Sequence, residues 1–228
     1  MRKRLFCLAA VLLTAACAPK EEVLVRGEQD MVCIMDGKML TDNGLTFLVV
    51  EEEAGTAGWR DWDRAIISCD LLRQRSATEF EIRLSEANRV LLKDVADDGT
   101  IPEEELGDDP VDVLYGWVSG GYLNLLICIV HDPSSDRKHF INLVCLGNDE
   151  NGVRFRLHHN SYGYYFGAPG VTSTPTLGRS YVSFPVSRFL PAGKENIEFE
   201  LSWKWHISEA GNLFPETREE SRRGVIRR

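Results

Sequence analysis

Helical periodicity is nearly absent from this chain, and short apolar runs alternate with turn signals. That pattern points to an all-β fold, a barrel or a sandwich. In the first half, residues 32–35 are an apolar run ended by Asp36-Gly37. Thr41-Asp42-Asn43-Gly44 is a turn rich in residues that tolerate positive φ. Residues 45–50 read as a strand, residues 51–62 as a polar loop, and residues 64–72 as a third strand. Phe80, Ile82 and Leu84 alternate with Glu81 and Arg83, the period of a half-buried strand. Val90, Leu91, Leu92 and Val95 close the segment. Five strands in about 70 residues predict a small barrel of the OB type.

Residues 97–109 are acidic, carry Gly99, Pro102 and Gly107, and have little to bury. They read as an inter-domain linker. Longer strands follow. Val111, Val113, Tyr115 and Trp117 are expected on one face, with Trp117 in the core, and Gly120-Gly121 turns the chain. Residues 122–130 and 139–146 are nearly continuous apolar runs around a polar loop, read as a hairpin buried on both faces. Val153, Phe155 and Leu157 alternate with Arg154, Arg156 and His158. The cleanest period of two is Ile197, Phe199, Leu201, Trp203 and Trp205 against Glu198, Glu200, Ser202, Lys204 and His206. The expected organisation is an OB-like barrel over 28–96, the linker over 97–109, an antiparallel β-sandwich over 110–207 and a disordered tail over 208–228.

The N-terminus changes the picture from fold to location. Arg2, Lys3 and Arg4 precede a short apolar run, then Thr14-Ala15-Ala16 and Cys17. The run is too short to span a bilayer, which takes about 20 apolar residues. It reads as a secretory signal over 1–16, followed by a tether over 17–27. Ala16-Cys17 supplies the small residue and the acceptor thiol that lipidation needs, although Thr14 stands where Leu is usual. Plain secretory cleavage near Ala16 is the alternative. Lys20-Glu21-Glu22 resembles a short acidic surface-export signal. The expected location is the outer membrane of a Gram-negative bacterium, with the lipid as the membrane contact.

Charge then excludes a class. Without Arg2, Lys3 and Arg4 the chain has 23 basic residues against 35 acidic ones. Such a surface repels phosphate backbones, so nucleic acid is not the expected partner. Cys33, Cys69, Cys128 and Cys145 all lie in apolar runs, where thiols behave as small hydrophobes. A Cys33–Cys69 bridge is the pairing to check. No paired CxxC points to zinc, and no cofactor motif is present.

Several motifs of the second half carry a family resemblance. They are Asp109-Pro110, Gly120-Gly121-Tyr122-Leu123-Asn124, Lys138 to Leu143 (KHFINL), Leu157-His158-His159-Asn160, Val182-Ser183-Phe184 and the strand Glu198 to Trp205. In this order they resemble the NigD-like lipoprotein family, over residues 109–205 and more weakly over 28–95. The resemblance implies a lipid anchor, an N-terminal OB-like barrel and a C-terminal β-sandwich. It supplies no catalytic residues.

The remaining chemistry is sparse. His131, Asp132, Asp136 and His139 bracket one loop and could approach a metal ion, but exposed loop residues of these types are common. His158 and His159 are adjacent on a strand and point to opposite faces. Ser119-Gly120-Gly121 lacks the context of a nucleophile elbow. Trp59 and Trp62 lie in the barrel loop, and Tyr164, Tyr165 and Phe166 in a glycine-rich loop of the second half. Loop aromatics give large contact area at low entropy cost, so these five are the candidate ligand-binding residues. The alternative is that they fold back as caps. The expected function is non-enzymatic: partner binding or bacteriocin-immunity-like protection by an envelope lipoprotein. A glycan-binding accessory protein is the second reading, and a hydrolase the third, without support.

Overall fold

The computed structural model describes residues 23–132, 138–169, 171, 176–209 and 212–227. The first five strands are β1 (Val25–Met35), β2 (Lys38–Thr41), β3 (Thr46–Glu52), β4 (Arg64–Gln74) and β5 (Glu79–Leu92). Asp36 and Gly37 both have positive φ, which is what a two-residue hairpin between β1 and β2 requires. Antiparallel pairing runs β3-β2-β1-β4-β5, and a parallel β3–β5 pairing closes the ring. Val32, Phe47, Ile67, Ile82 and Leu84 fill its interior. The five strands therefore close into a small barrel, and closure removes the exposed strand edges that invite aggregation.

Strand β5 is 14 residues long and runs past the barrel. The chain continues through β6 (Ala96–Asp97), a single helical turn α1 (Glu103–Leu106), β7 (Asp112–Ser119), β8 (Tyr122–His131), β9 (Phe140–Asp149) and β10 (Gly152–Asn160). It ends with β11 (Thr176–Pro185), β12 (Asn196–Glu209) and β13 (Asn212–Arg227). The end of β5 pairs in parallel with β11 through Leu91 and Leu92. One eight-stranded sheet, β3-β2-β1-β4-β5-β11-β8-β7, thus joins barrel to sandwich. The second sheet is β13-β12-β10-β9-β6, and its β10–β12 and β6–β9 pairs are parallel. Leu123, Leu125 and Ile127 of one sheet share a core with Ile141, Leu143, Phe155 and Trp203 of the other.

Four expectations are corrected. Residues 122–130 and 139–146 do not form a hairpin. Strand β8 pairs with β7 and β11 in the first sheet, and β9 with β10 and β6 in the second. The two apolar runs face each other across the core, and an apolar run does not encode which neighbour it bonds. Second, a bulge at Leu114 breaks the period of β7. Beyond it Gly116 turns inward, its missing Cβ about to touch Leu125, while Tyr115 and Trp117 turn to the outer face. Third, the tail is not disordered. Strand β13 pairs with β12 from Asn196↔Arg227 to Glu209↔Asn212. Its charged residues suit an edge strand, whose outer face meets water.

Fourth, the acidic segment is not a free linker. Asp108 accepts from Arg156 and Lys204, both at 2.8 Å. Asp109 accepts from the Ser161 N–H and hydroxyl. Asn160 donates to the carbonyls of Glu104 and Glu105. The four cysteines Cys33, Cys69, Cys128 and Cys145 are free thiols. In the β1–β4 register Cys33 faces Arg64 and Cys69 faces Glu28. That offset of five positions is about 16 Å along the strands, beyond any disulfide.

Candidate functional site

The junction of barrel and sandwich is built around Arg64, the first residue of β4, whose side chain is fully buried. Nη1 and Nη2 donate to the two oxygens of Asp42 at 2.9 and 2.8 Å. Nη2 also donates to Asn124 Oδ1 at 3.1 Å, and Nε to the Ser183 hydroxyl at 3.3 Å. The Tyr122 ring lies under the guanidinium, 3.9 Å from its centroid. Ser119 donates to Asp42 at 2.6 Å, and Asn124 donates to Ser119. A buried charge is tolerated only when paired and hydrogen-bonded, and this one is both. Arg64 and Asp42 come from the barrel and their partners from the sandwich, so the network pins one to the other. Gly120 has φ +56° and would place a Cβ 2.6 Å from Asp42. The β7–β8 turn can approach Asp42 only as glycine.

Beside this pin opens a cavity of about 310 Å3, walled by Cys33, Met35, Leu40, Arg64 and Tyr122, with Trp62 at its rim. Trp62 is 60% exposed and has φ +73°. Positive φ on an aromatic residue is costly and persists only where the surroundings impose it. Here the Trp62 N–H donates to Ile34 O at 2.7 Å, and the Ile34 N–H donates to Asp63 O. Asp63 accepts from the Arg60 N–H, and Asp61 from the Asp36 N–H. These bonds hold a large ring in water at the mouth of a concave, mostly apolar site, the usual shape of a ligand pocket. Burial pushes the Cys33 thiol and the Tyr122 hydroxyl up, so both are neutral there.

The other four candidates are placed differently. Trp59 folds onto the barrel core, with the Arg89 guanidinium over its ring at 5.6 Å. Tyr164, Tyr165 and Phe166 are half-buried. The Tyr165 and Phe166 rings lie 6.5 and 5.8 Å from His206 and cap that end of the sandwich. Cys17 lies outside the described residues, as does Asp136. His131 sits against Gly178 on the first sheet, whereas His139 stacks on His159 of the second. Among the described residues no three His, Cys, Asp or Glu side chains could hold a metal ion.

The His139–His159 pair has its own consequence. His159 is fully buried, and its Nδ1 lies 2.9 Å from Pro110 O, so Nδ1 carries the proton. Nε2 then accepts from His139 Nδ1 at 2.9 Å. Burial, with His139 alongside, pushes the His159 pKa down to about 4. The unfolded chain therefore binds a proton between pH 6.5 and about 4 that the folded chain refuses. Burial lowers His158 and His206 as well, with the same sign. Stability is expected to be full above pH 6.5 and to fall towards pH 4, by ~3 kcal/mol for His159. Urea midpoints at pH 7 and pH 4.5 check this, and His159→Gln should flatten the change. Equal midpoints would show that His159 is solvated.

The sequence profile of the NigD-like C-terminal beta sandwich domain matches residues 94–212, more than half of the chain. The chain belongs to the NigD-like family. Three solved structures share the fold of this NigD-like chain. One is a NigD-like immunity protein from Bacteroides caccae, 19% identical, with a TM-score of 0.59, covering 83% of this chain and 91% of that one. A candidate lipoprotein from Bacteroides fragilis is 14% identical at TM-score 0.61, covering 87% and 97%. A protein of unknown function from Bacteroides vulgatus is 16% identical at TM-score 0.60, covering 90% of each chain. No curated protein matches. The junction residues of this NigD-like chain escape a reading of periodicity. Asn124 inside an apolar strand was their one sequence signal, because a buried amide demands partners.

Proposed function

We propose that this chain is a lipid-anchored, non-enzymatic binding protein of the bacterial envelope with an immunity-like protective role. Trp62 and its cavity are the recognition site. The observation that carries the reading is the exposed Trp62 ring, held at positive φ on the mouth of the cavity. Strain maintained by several backbone bonds points to function. A binding role rather than catalysis is supported by the chemistry beside the ring. Both Asp42 oxygens are occupied by the Arg64 guanidinium, and burial holds the thiol and phenol protonated.

The protective role draws on the Bacteroides caccae structure, described as a NigD-like immunity protein. The anchor draws on the Cys17 signal and on the Bacteroides fragilis candidate lipoprotein. Attachment to the outer membrane, with surface display through Lys20-Glu21-Glu22, completes the proposal.

The test is a killing assay. Sensitive cells expressing the chain are challenged with bacteriocin-containing supernatants from related strains. The parent should raise the killing threshold. Cys17→Ser should leave the membrane fraction and lose protection. Trp62→Ala should stay in the membrane fraction at parental level and protect at least about tenfold less. If the parent shifts no threshold, the protective role is wrong. If Trp62→Ala protects fully, the site is wrong.

A further inference from the structure

A second aromatic feature lies on the other side of the Asp42 pin. The bulge at Leu114 turns Tyr115 and Trp117 to the outer face of the first sheet, where β-bulges commonly re-aim side chains. Their ring centroids are 5.6 Å apart at 37°, and Tyr181 of β11 meets Trp117 edge-on at 6.4 Å. Tyr115 is 60% exposed. Three rings from β7 and β11, the strands that flank β8, thus make a continuous surface. Beside Trp117 lies a cleft of about 310 Å3, walled on the barrel side by Gln29, Asp30, Asn43 and Ile66 and on the sandwich side by Ser119.

We infer that this platform and cleft bind a neutral carbohydrate, with a pyranose ring laid on Trp117 and Tyr115. A pyranose has an apolar face of C–H bonds and an equator of hydroxyls that each donate and accept. The wall matches that chemistry, since Asn43 offers an amide donor and acceptor, Gln29 its amide oxygen and the N–H that does not face Ser68, and Asp30 a carboxylate, while Ser119, which donates to Asp42 and accepts from Asn124, keeps one lone pair. Asp30 Oδ1 accepts from the Met31 N–H at 2.9 Å, and Oδ2 has no partner among the described residues. A cation would need only acceptors, and Asp42, the other carboxylate of the wall, is already paired with Arg64. An anionic sugar is disfavoured by the acidic surface and by the absence of Lys and Arg from the cleft wall. This site is separate from the Trp62 cavity and does not depend on its role.

Affinity gels of the purified mature chain containing glycogen, a soluble β-glucan or yeast mannan test the inference. At least one neutral polysaccharide should retard the parent. Tyr115→Ala, which removes an exposed ring and should keep the fold, and Trp117→Ala should each weaken retardation by about tenfold or more. Asn43→Ala should weaken it less, and Arg154→Ala on the second sheet should not change it. Retardation by none of the three, or unchanged retardation of Tyr115→Ala with Trp117→Ala, would overturn the site. So would tighter retention on a quaternary-ammonium resin that choline elutes and Tyr115→Ala abolishes, because the rings would then be a cation cage.

Discussion

Arg64→Ala is expected to be among the most destabilising single changes in this protein, costing about 3–5 kcal/mol. Removing the guanidinium leaves Asp42 buried with the Ser119 hydroxyl as its one side-chain partner among the described residues, and it leaves Asn124 and Ser183 without their charged donor. The cost comes from the stranded carboxylate more than from the lost attraction. Asp42→Ala should be comparably severe, because it strands the cation. The double change to apolar residues of similar shape, Arg64→Met with Asp42→Leu, should recover much of the loss. A further signature is expected. Arg64 and Asp42 hold the barrel against the sandwich, so the single variants should unfold in two steps where the parent unfolds in one. Urea denaturation followed by both tryptophan fluorescence and far-UV dichroism reads both effects. A loss below about 1 kcal/mol with one coincident transition would show that the network is incidental to stability.

Removal of residues 212–228 is expected to abolish cooperative unfolding of the sandwich. Strand β13 covers β12 along almost its whole length, and Ile226, fully buried, completes the shared core. Arg156 clasps Glu219 through both guanidinium nitrogens, at 2.6 and 3.0 Å, and the Arg222 guanidinium lies over Trp203. Without β13, the backbone of β12 becomes an open edge beside an exposed core, a template for aggregation. Ile226→Ala should cost about 2–5 kcal/mol while keeping the fold, which separates loss of packing from loss of the strand. If the truncated chain is soluble and melts as the parent does, the strand contributes nothing and the tail is dispensable.

Local chemistry alone accounts for one part of this fold. The all-β class follows from the period of two, and strand β12, with Phe199, Leu201, Trp203 and Trp205 turned inward, was legible residue by residue. The turns at Asp36-Gly37 and Gly120-Gly121 were legible because positive φ is a property of single residues. Trp62 was legible as a loop aromatic, though nothing local separated it from Trp59, which the barrel core absorbs.

The rest depends on partners that lie far along the chain. Strands β8 and β9 have the same apolar signature whether they pair or face each other across a core. One inserted residue at Leu114 reverses the faces of Tyr115 and Trp117, and no composition marks it. Strand β13 is mostly exposed, with Ile226 its one fully buried side chain among the described residues, and the backbone bonds that align it on β12 leave no trace in hydrophobic pattern. Arg64 reads as a surface arginine until Asp42, Asn124 and Ser183, separated from it by 22, 60 and 119 positions, close around it. Side-chain type fixes what a position can tolerate. Which partners arrive depends on which strands the shared core brings together.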